Sequence, residues 1–147
     1  MLIESDIMGP FPQSSISKAR YVLTFIDDFS RLTCVFFLKL KSEVFECLIE
    51  FKALVENESG CKIKILCTDN GGDHVNKYVQ QLCIDASIQL QHIVPYTPQQ
   101  NGVTERKNQS LKEMENCMLE SKSLSPNLWA EVINCAAYIQ NHILTKH

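Results

Sequence analysis

The sequence predicts an α/β fold, a mixed five-stranded sheet with helices packed on it, and three observations carry that expectation. Residues 21–29 (YVLTFIDDF) and 33–38 (TCVFFL) are rich in β-branched and aromatic side chains and flank Ser30-Arg31, which reads as an antiparallel hairpin. Further along, apolar runs of strand length alternate with stretches of helical periodicity, the pattern that joins strands by crossovers. The size and composition, 147 residues of which 45% are hydrophobic and 21% charged, fit one compact domain. A domain of this size buries roughly two-thirds of its unfolded surface and needs no cofactor or disulfide to fold.

Taken in order, residues 2–8 form a short strand that ends at Gly9-Pro10-Phe11-Pro12, where the prolines remove ladder donors. That leaves Asp6 near a strand's C-terminal end. After the hairpin, Val44, Phe45, Leu48, Phe51 and Val55 recur at helical spacing over residues 42–58, with Ser42 as the expected cap and Gly60 as the stop. Residues 62–68 (KIKILCT) make a strand that delivers Asp69 into Asn70-Gly71-Gly72. A helix follows, its buried stripe being Val75, Val79, Leu82 and Cys83, and residues 88–94 (IQLQHIV) alternate as the last strand. Residues 95–102 (PYTPQQNG) read as a polar loop. Two helices, 103–122 and 127–144, complete the chain, split at Ser123-Leu124-Ser125-Pro126.

Several function classes are excluded at this stage. The longest apolar runs, such as residues 34–38, fall far short of the ~20 residues a membrane helix requires, and the N-terminus lacks the pattern of a secretory signal. The seven cysteines (Cys34, Cys47, Cys61, Cys67, Cys83, Cys117 and Cys135) are odd in number and mostly lie within apolar periodic segments. They are expected to be buried thiols in a reducing compartment. No C-x-x-C pair occurs, and the His142-x(4)-His147 spacing stands without one, which argues against zinc. With 14 basic residues against 17 acidic ones the net charge is −3, so any contact with nucleic acid must come from a local patch.

Three acids stand where a core would not want them: Asp6 and Asp69 at strand ends, and Glu105 at the start of a helix. Singly, each has an ordinary explanation as a turn or helix-terminus residue. Together, three convergent carboxylates would repel one another unless a cation neutralised them, and oxygen-only ligands select Mg²⁺ or Mn²⁺. Such ions suit phosphoryl transfer.

The spacing and the words around these acids carry a resemblance. Asp69 and Glu105 are separated by 35 residues. Around them stand SDIMGP, TFIDDFSR, TDNGG, PYTPQQNGV, ERKN and a terminal helix with Trp129, Ala130, Glu131 and Val132. Across nearly its whole length the chain resembles the integrase catalytic core of copia-type LTR retrotransposons, within the retroviral-type integrase superfamily. The resemblance implies a ribonuclease-H-like fold over residues 1–147, with the zinc-binding module and the C-terminal region of such integrases lying outside it. It implies a Mg²⁺-dependent polynucleotidyl transferase that trims element DNA ends and joins them to target DNA, with Asp6, Asp69 and Glu105 as catalytic metal ligands. Asn70, Gln99, Gln100 and Asn101 would hydrogen-bond DNA, and Arg106, Lys107 and Lys112 would position phosphate. Expected partners are DNA and further copies of the chain, with no membrane, in an intracellular setting that the resemblance implies is the nucleus.

At some family positions this chain differs. Glu4 stands where copia-type sequences usually have His, and Cys67, Asp73 and Gln109 replace Arg, Glu and Arg. Two other readings share the residues. One is a catalytically silent remnant acting as a nucleic-acid-binding or protein-interaction module. The other is a ribonuclease acting on RNA–DNA hybrids, for which the first helix offers Glu43, Glu46 and Glu50. Asp27 and Asp28 are expected to serve the hairpin turn, and Trp129 the core.

Overall fold

The computed structural model describes residues 1–69, 75–93 and 98–144; the side chains at 69, 93, 98–105 and 144 lie outside that description. Five strands, β1 (Leu2–Met8), β2 (Tyr21–Asp27), β3 (Thr33–Leu38), β4 (Ile65–Asp69) and β5 (Gln89–Ile93), form one sheet in the order β3-β2-β1-β4-β5. β1, β2 and β3 pair antiparallel, whereas β4 runs parallel to both β1 and β5. Four helices, α1 (Val44–Ser59), α2 (Lys77–Asp85), α3 (Pro98–Ser121) and α4 (Trp129–Leu144), accompany the sheet. This is the expected mixed α/β layout.

Strand alternation divides the side chains between two faces. Ile3, Leu23, Phe25, Leu38 and Leu66 join Leu48 and Phe51 of α1 and Val79 and Cys83 of α2 in the larger core. Phe25 stacks on Phe51 with ring centroids 4.4 Å apart. On the other face, Val22 and Met8 pack with Phe11, Trp129, Ala130 and Ile133, and Leu111 of α3 meets Ala136 and Ala137 of α4. Trp129 is 2% exposed, stacks on Phe11 at 3.9 Å and donates its indole N–H to Gln13 O at 2.8 Å. It is a core residue, as expected.

Several boundaries differ from the expectation for local physical reasons. Ser42 does not cap α1. A short 3-10 turn over Lys41–Glu43 precedes the helix, and the Glu43 carboxylate accepts from Lys39 N instead. In α2 the cap is Asn76, whose Oδ1 accepts from Tyr78 N and Val79 N, so Val75 lies before the helix. The largest difference is α3, which begins at Pro98 rather than near residue 103. Proline is well suited to a first helical turn, where its missing N–H costs nothing. The segment from Pro98 to Gly102 is therefore helical and not loop. β2 stops at Asp27, whose carboxylate accepts from Phe29 N and the Ser30 hydroxyl, while Asp28 pairs with Arg31 at 3.2 Å. Both acids serve the turn.

Gly60 ends α1 in the left-handed conformation, φ 72°, with its N–H bonded to Glu56 O. Open space surrounds the position a Cβ would take, so Gly60→Ala meets only the backbone penalty of that conformation. We expect a loss of about 1 kcal/mol, near 3 °C in melting temperature for a domain of this size, read by calorimetry.

The cysteines correct the sequence expectation. All seven are free, but Cys61, Cys117 and Cys135 are exposed and only Cys67 and Cys83 are fully buried. Cys117 and Cys135 lie on outward faces of amphipathic helices, where an apolar neighbourhood in sequence does not mean burial in space. Burial, followed by the charges of Glu50, Glu43 and Glu46, pushes the half-buried Cys47 thiol up to about 11. Brief iodoacetamide treatment at pH 8 is expected to label Cys61, Cys117 and Cys135 first, as read by peptide mass spectrometry. Early labelling of Cys67 or Cys47 would contradict this packing.

At the sheet edge, Asn141 of α4 lays its amide along β3. Its Oδ1 accepts from Thr33 N at 2.9 Å and its Nδ2 donates to Thr33 O at 2.7 Å.

Candidate metal centre

Asp6 lies on central strand β1, on the face covered by α3 and α4. Ile3 points into the opposite core, and three residues further on the alternation has reversed. The paired residue on β2 is Thr24, which is 0% exposed. On the other side of β1, the parallel register pairs Leu2 with Ile65, Ile3 with Leu66 and Glu4 with Cys67. Continued for two residues, that register sets Asp6 level with Asp69, the last residue of β4, which itself pairs with Ile93 of β5. The period of two assigns positions 6 and 69 to the same face.

α3 crosses this face. Asn108, 6% exposed, donates from Nδ2 to Asp6 Oδ2 and accepts the Thr24 hydroxyl at 3.2 Å through Oδ1. Ile7 N donates to Asp6 Oδ1 at 2.9 Å. Glu105 lies one helical turn before Asn108, on the same side of α3. The carboxylates of Asp69 and Glu105 lie outside the described side chains.

The oxygen donors of Asp6 fit a hard cation. The Asp6 carboxylate, a hard oxygen donor, accepts from Ile7 N through Oδ1 and from the Asn108 amide through Oδ2. Burial and then the charges of Glu4 and Asp28 push the neighbouring Cys67 thiol up to about 11. Among the described side chains there is no group of three or more His, Cys, Asp and Glu that could hold a metal ion. The expected centre of Asp6, Asp69 and Glu105 includes two side chains outside that description.

The sequence missed three features of this region. Asn108 reads in sequence as part of a polar helix face beside the site, Glu105, Asn108, Gln109 and Lys112 falling at i, i+3, i+4 and i+7, but its burial was not legible there. Glu4 is buried on the same face as Asp6, two residues earlier. Glu115 is also buried, its carboxylate 3.2 Å from the Lys112 ammonium, so the inner stripe of α3 runs Asn108, Leu111, Glu115.

The predicted DNA contacts separate. Lys112 pairs with Glu115 and lies 4.3 Å above the Phe11 ring, beside a cavity of about 490 Å³ lined by Met8, Gly9, Pro10, Phe11 and Pro12. Lys107 is partly buried, and this burial together with the charge of Arg31 lowers its pKa, which places it toward the β2–β3 turn. Arg106 is exposed. Gln99, Gln100 and Asn101 sit in the first turns of α3, with side chains outside the described set, and Asn70 lies outside the described residues. Glu43, Glu46 and Glu50 belong to α1 and the turn before it. That helix packs on the face opposite Asp6.

Comparison with known proteins agrees with this arrangement. The family model described as integrase core domain matches residues 2–98. The retrovirus-related Pol polyprotein from transposon TNT 1-94 of Nicotiana tabacum is 40% identical over 140 residues, covering 95% of this chain and 10% of that protein. The corresponding polyprotein from transposon RE2 of Arabidopsis thaliana is 36% identical, covering 97% of this chain and 10% of its own length. The chain thus spans about a tenth of the length of the curated relatives it matches. Among solved structures, the HTLV-2 integrase catalytic core domain in complex with magnesium, in its dimeric form, superposes with a TM-score of 0.65 at 20% identity, covering 93% of this chain and 83% of that one. A chain of the simian T-cell lymphotropic virus intasome bound to the PP2A regulatory subunit B56 gamma gives a TM-score of 0.69 at 20% identity, covering 93% and 46%. These structures establish a shared ribonuclease-H-like fold.

Proposed function

The chain belongs to the integrase core domain family, and from that premise we propose that it is a Mg²⁺-dependent polynucleotidyl transferase core that processes retrotransposon DNA ends and joins them to target DNA. The observation that supports the reading is the register: β1 and β4 pair in parallel from Leu2–Ile65 to Glu4–Cys67, which, continued for two residues, sets Asp6 level with Asp69, and α3, the helix that bears Glu105, packs on the Asp6 face. In this reading the three acids hold one or two Mg²⁺ or Mn²⁺ ions. When bound, the cations supply charge neutralisation at a scissile phosphate. The chain's own part is to hold the carboxylates in place and to keep DNA aligned with them, since positioning supplies much of the rate in phosphoryl transfer.

DNA contact falls to Asn70, Gln99, Gln100, Asn101 and Arg106. Lys112 and Lys107 contribute less, because Glu115 engages the first and the hairpin environment of Arg31 shelters the second. Dimers or larger assemblies of the chain would align two DNA ends.

The test is strand transfer by the purified chain with labelled duplex ends and Mg²⁺ or Mn²⁺, beside Asp69→Ala. Joined product that survives the substitution would refute the reading. Absence of product from the parent chain, with DNA still bound, would favour a catalytically silent binding module.

Charge on α3 gives a separate prediction. Gln109 is exposed and donates from Nε2 to Glu113 Oε1 at 3.1 Å. With a net charge of −3, the chain is expected to bind duplex DNA weakly and with strong salt sensitivity. Gln109→Arg is expected to tighten binding alike for all sequences and to steepen the slope of log K against log salt by about one, because a phosphate contact carries no base information. Fluorescence anisotropy across a salt series measures both. An unchanged slope would place this helix face away from DNA.

A further inference from the structure

We infer that Asn108 is a positioning residue that fixes the direction of the Asp6 carboxylate and is itself oriented by Thr24, an inference that rests on reading Asp6 as a metal ligand. The geometry makes the amide's orientation unique. An ionised carboxylate only accepts hydrogen bonds, so the Asn108 NH₂ must face Asp6, and Oδ1 is then turned toward Thr24. The Thr24 hydroxyl lies 3.2 Å from that oxygen and donates to it. The reverse rotamer would set Oδ1 against a carboxylate oxygen and the NH₂ toward a hydroxyl already 3.4 Å from Asp6 O.

Thr24 cannot easily serve any other purpose. It is wholly buried, directly across from Asp6 in the β1–β2 register, and its hydroxyl reaches only inward, to Asn108 and to Asp6 O. An apolar side chain at 108 would seal α3 onto the sheet as well as an amide does, and without the cost of burying polar atoms. What the amide adds is direction. Ile7 N holds Oδ1 and Asn108 holds Oδ2, so the carboxylate is gripped at both oxygens and its plane is set before a cation arrives. Partners that orient a ligand in this way commonly change metal affinity by about 10–100-fold when removed.

The experiment measures Mn²⁺ binding to the full chain without DNA by electron paramagnetic resonance, with metal-free melting recorded for each variant. Asn108→Leu is expected to weaken Mn²⁺ binding about 10–100-fold while the protein still melts cooperatively. Thr24→Val, nearly isosteric, should weaken it several-fold, and Thr24→Ser should restore parental affinity, which a packing role alone would not produce. If Asn108→Leu does not fold, Thr24→Val and Thr24→Ser decide the matter. Affinity unchanged in the variants that fold overturns the inference. Asp69→Asn separates the two levels of the argument. If the parent binds no Mn²⁺, or binds it as well with Asn at 69, the metal-centre reading fails and this inference falls with it. If Asp69→Asn abolishes binding but Asn108→Leu and Thr24→Val do not weaken it, the metal centre stands and the positioning role alone is lost.

Discussion

Asp6→Asn and Asp69→Asn are each expected to lower strand transfer by about a thousandfold or more, Asp69→Asn with little loss of thermal stability. The magnitude follows from the work assigned to the cations. Lewis-acid stabilisation of a phosphoryl transition state is worth several kcal/mol, and each 1.36 kcal/mol is a factor of about ten in rate. Asparagine keeps the shape and one oxygen of aspartate but removes the charge. At position 6 the amide must also meet the Asn108 NH₂ and Ile7 N, both donors, so one of its ends is mismatched. Stability should change little at position 69 without metal, because removing one of several like charges relieves repulsion. Product formation by gel, alongside calorimetry, distinguishes lost chemistry from lost fold. A variant that keeps a tenth or more of parental activity with Mg²⁺ would contradict the assignment of that acid.

Trp129→Ala should have the largest effect on stability, about 3–5 kcal/mol, which in a domain of this size lowers the melting temperature by about 10 °C. The buried indole covers Phe11, meets Phe37 edge-on at 6.0 Å and closes the second core beside Ile133. Truncation leaves a cavity and also strands Gln13 O without its donor. Phe11 follows β1 after two residues of turn, so this packing anchors the chain just beyond the site strand. Trp129→Phe should recover most of the burial but not the hydrogen bond, giving an intermediate loss. Equal melting temperatures for Trp129→Ala and the parent would contradict the packing of α4 on the sheet.

The sequence was most informative where periodicity and burial coincide. Alternation in residues 21–27 and 33–38 and the apolar spacing of Val44, Leu48 and Phe51 translate directly into β2, β3 and α1. Caps and polar contacts were less legible, because they depend on geometry that the pattern does not record. Ser42 has the chemistry of a cap, but the 3-10 turn takes the chain past it, whereas Asn76 obtains the role one residue before α2. Pro98 looked like part of a loop and instead starts a helix. Burial of the polar Asn108 and Glu115 was not legible in the pattern, because it depends on tertiary packing against a carboxylate on another strand and a lysine one turn away. The spacing of Asp69 and Glu105 pointed to the site region, while the strand order that sets position 6 beside position 69 required the pairing of β1 with β4.

The amide of Asn141 does for Thr33 what a peptide group of a sixth strand would do. β3 is an edge strand whose six residues, Thr-Cys-Val-Phe-Phe-Leu, carry no charge and no proline. Such a segment is a template for strand addition and, when several copies meet, for cross-β stacking. A side chain that occupies both backbone groups of its first residue blocks the register in which an incoming strand would start to pair. The guard is supplied from α4, the last helix, so it is in place only after the C-terminal part of the chain has docked. Colloidal behaviour and the seating of α4 are thereby linked: conditions that loosen the last helix would turn β3 from a finished border into a nucleus for self-association while the acids on β1 and β4 remain in place.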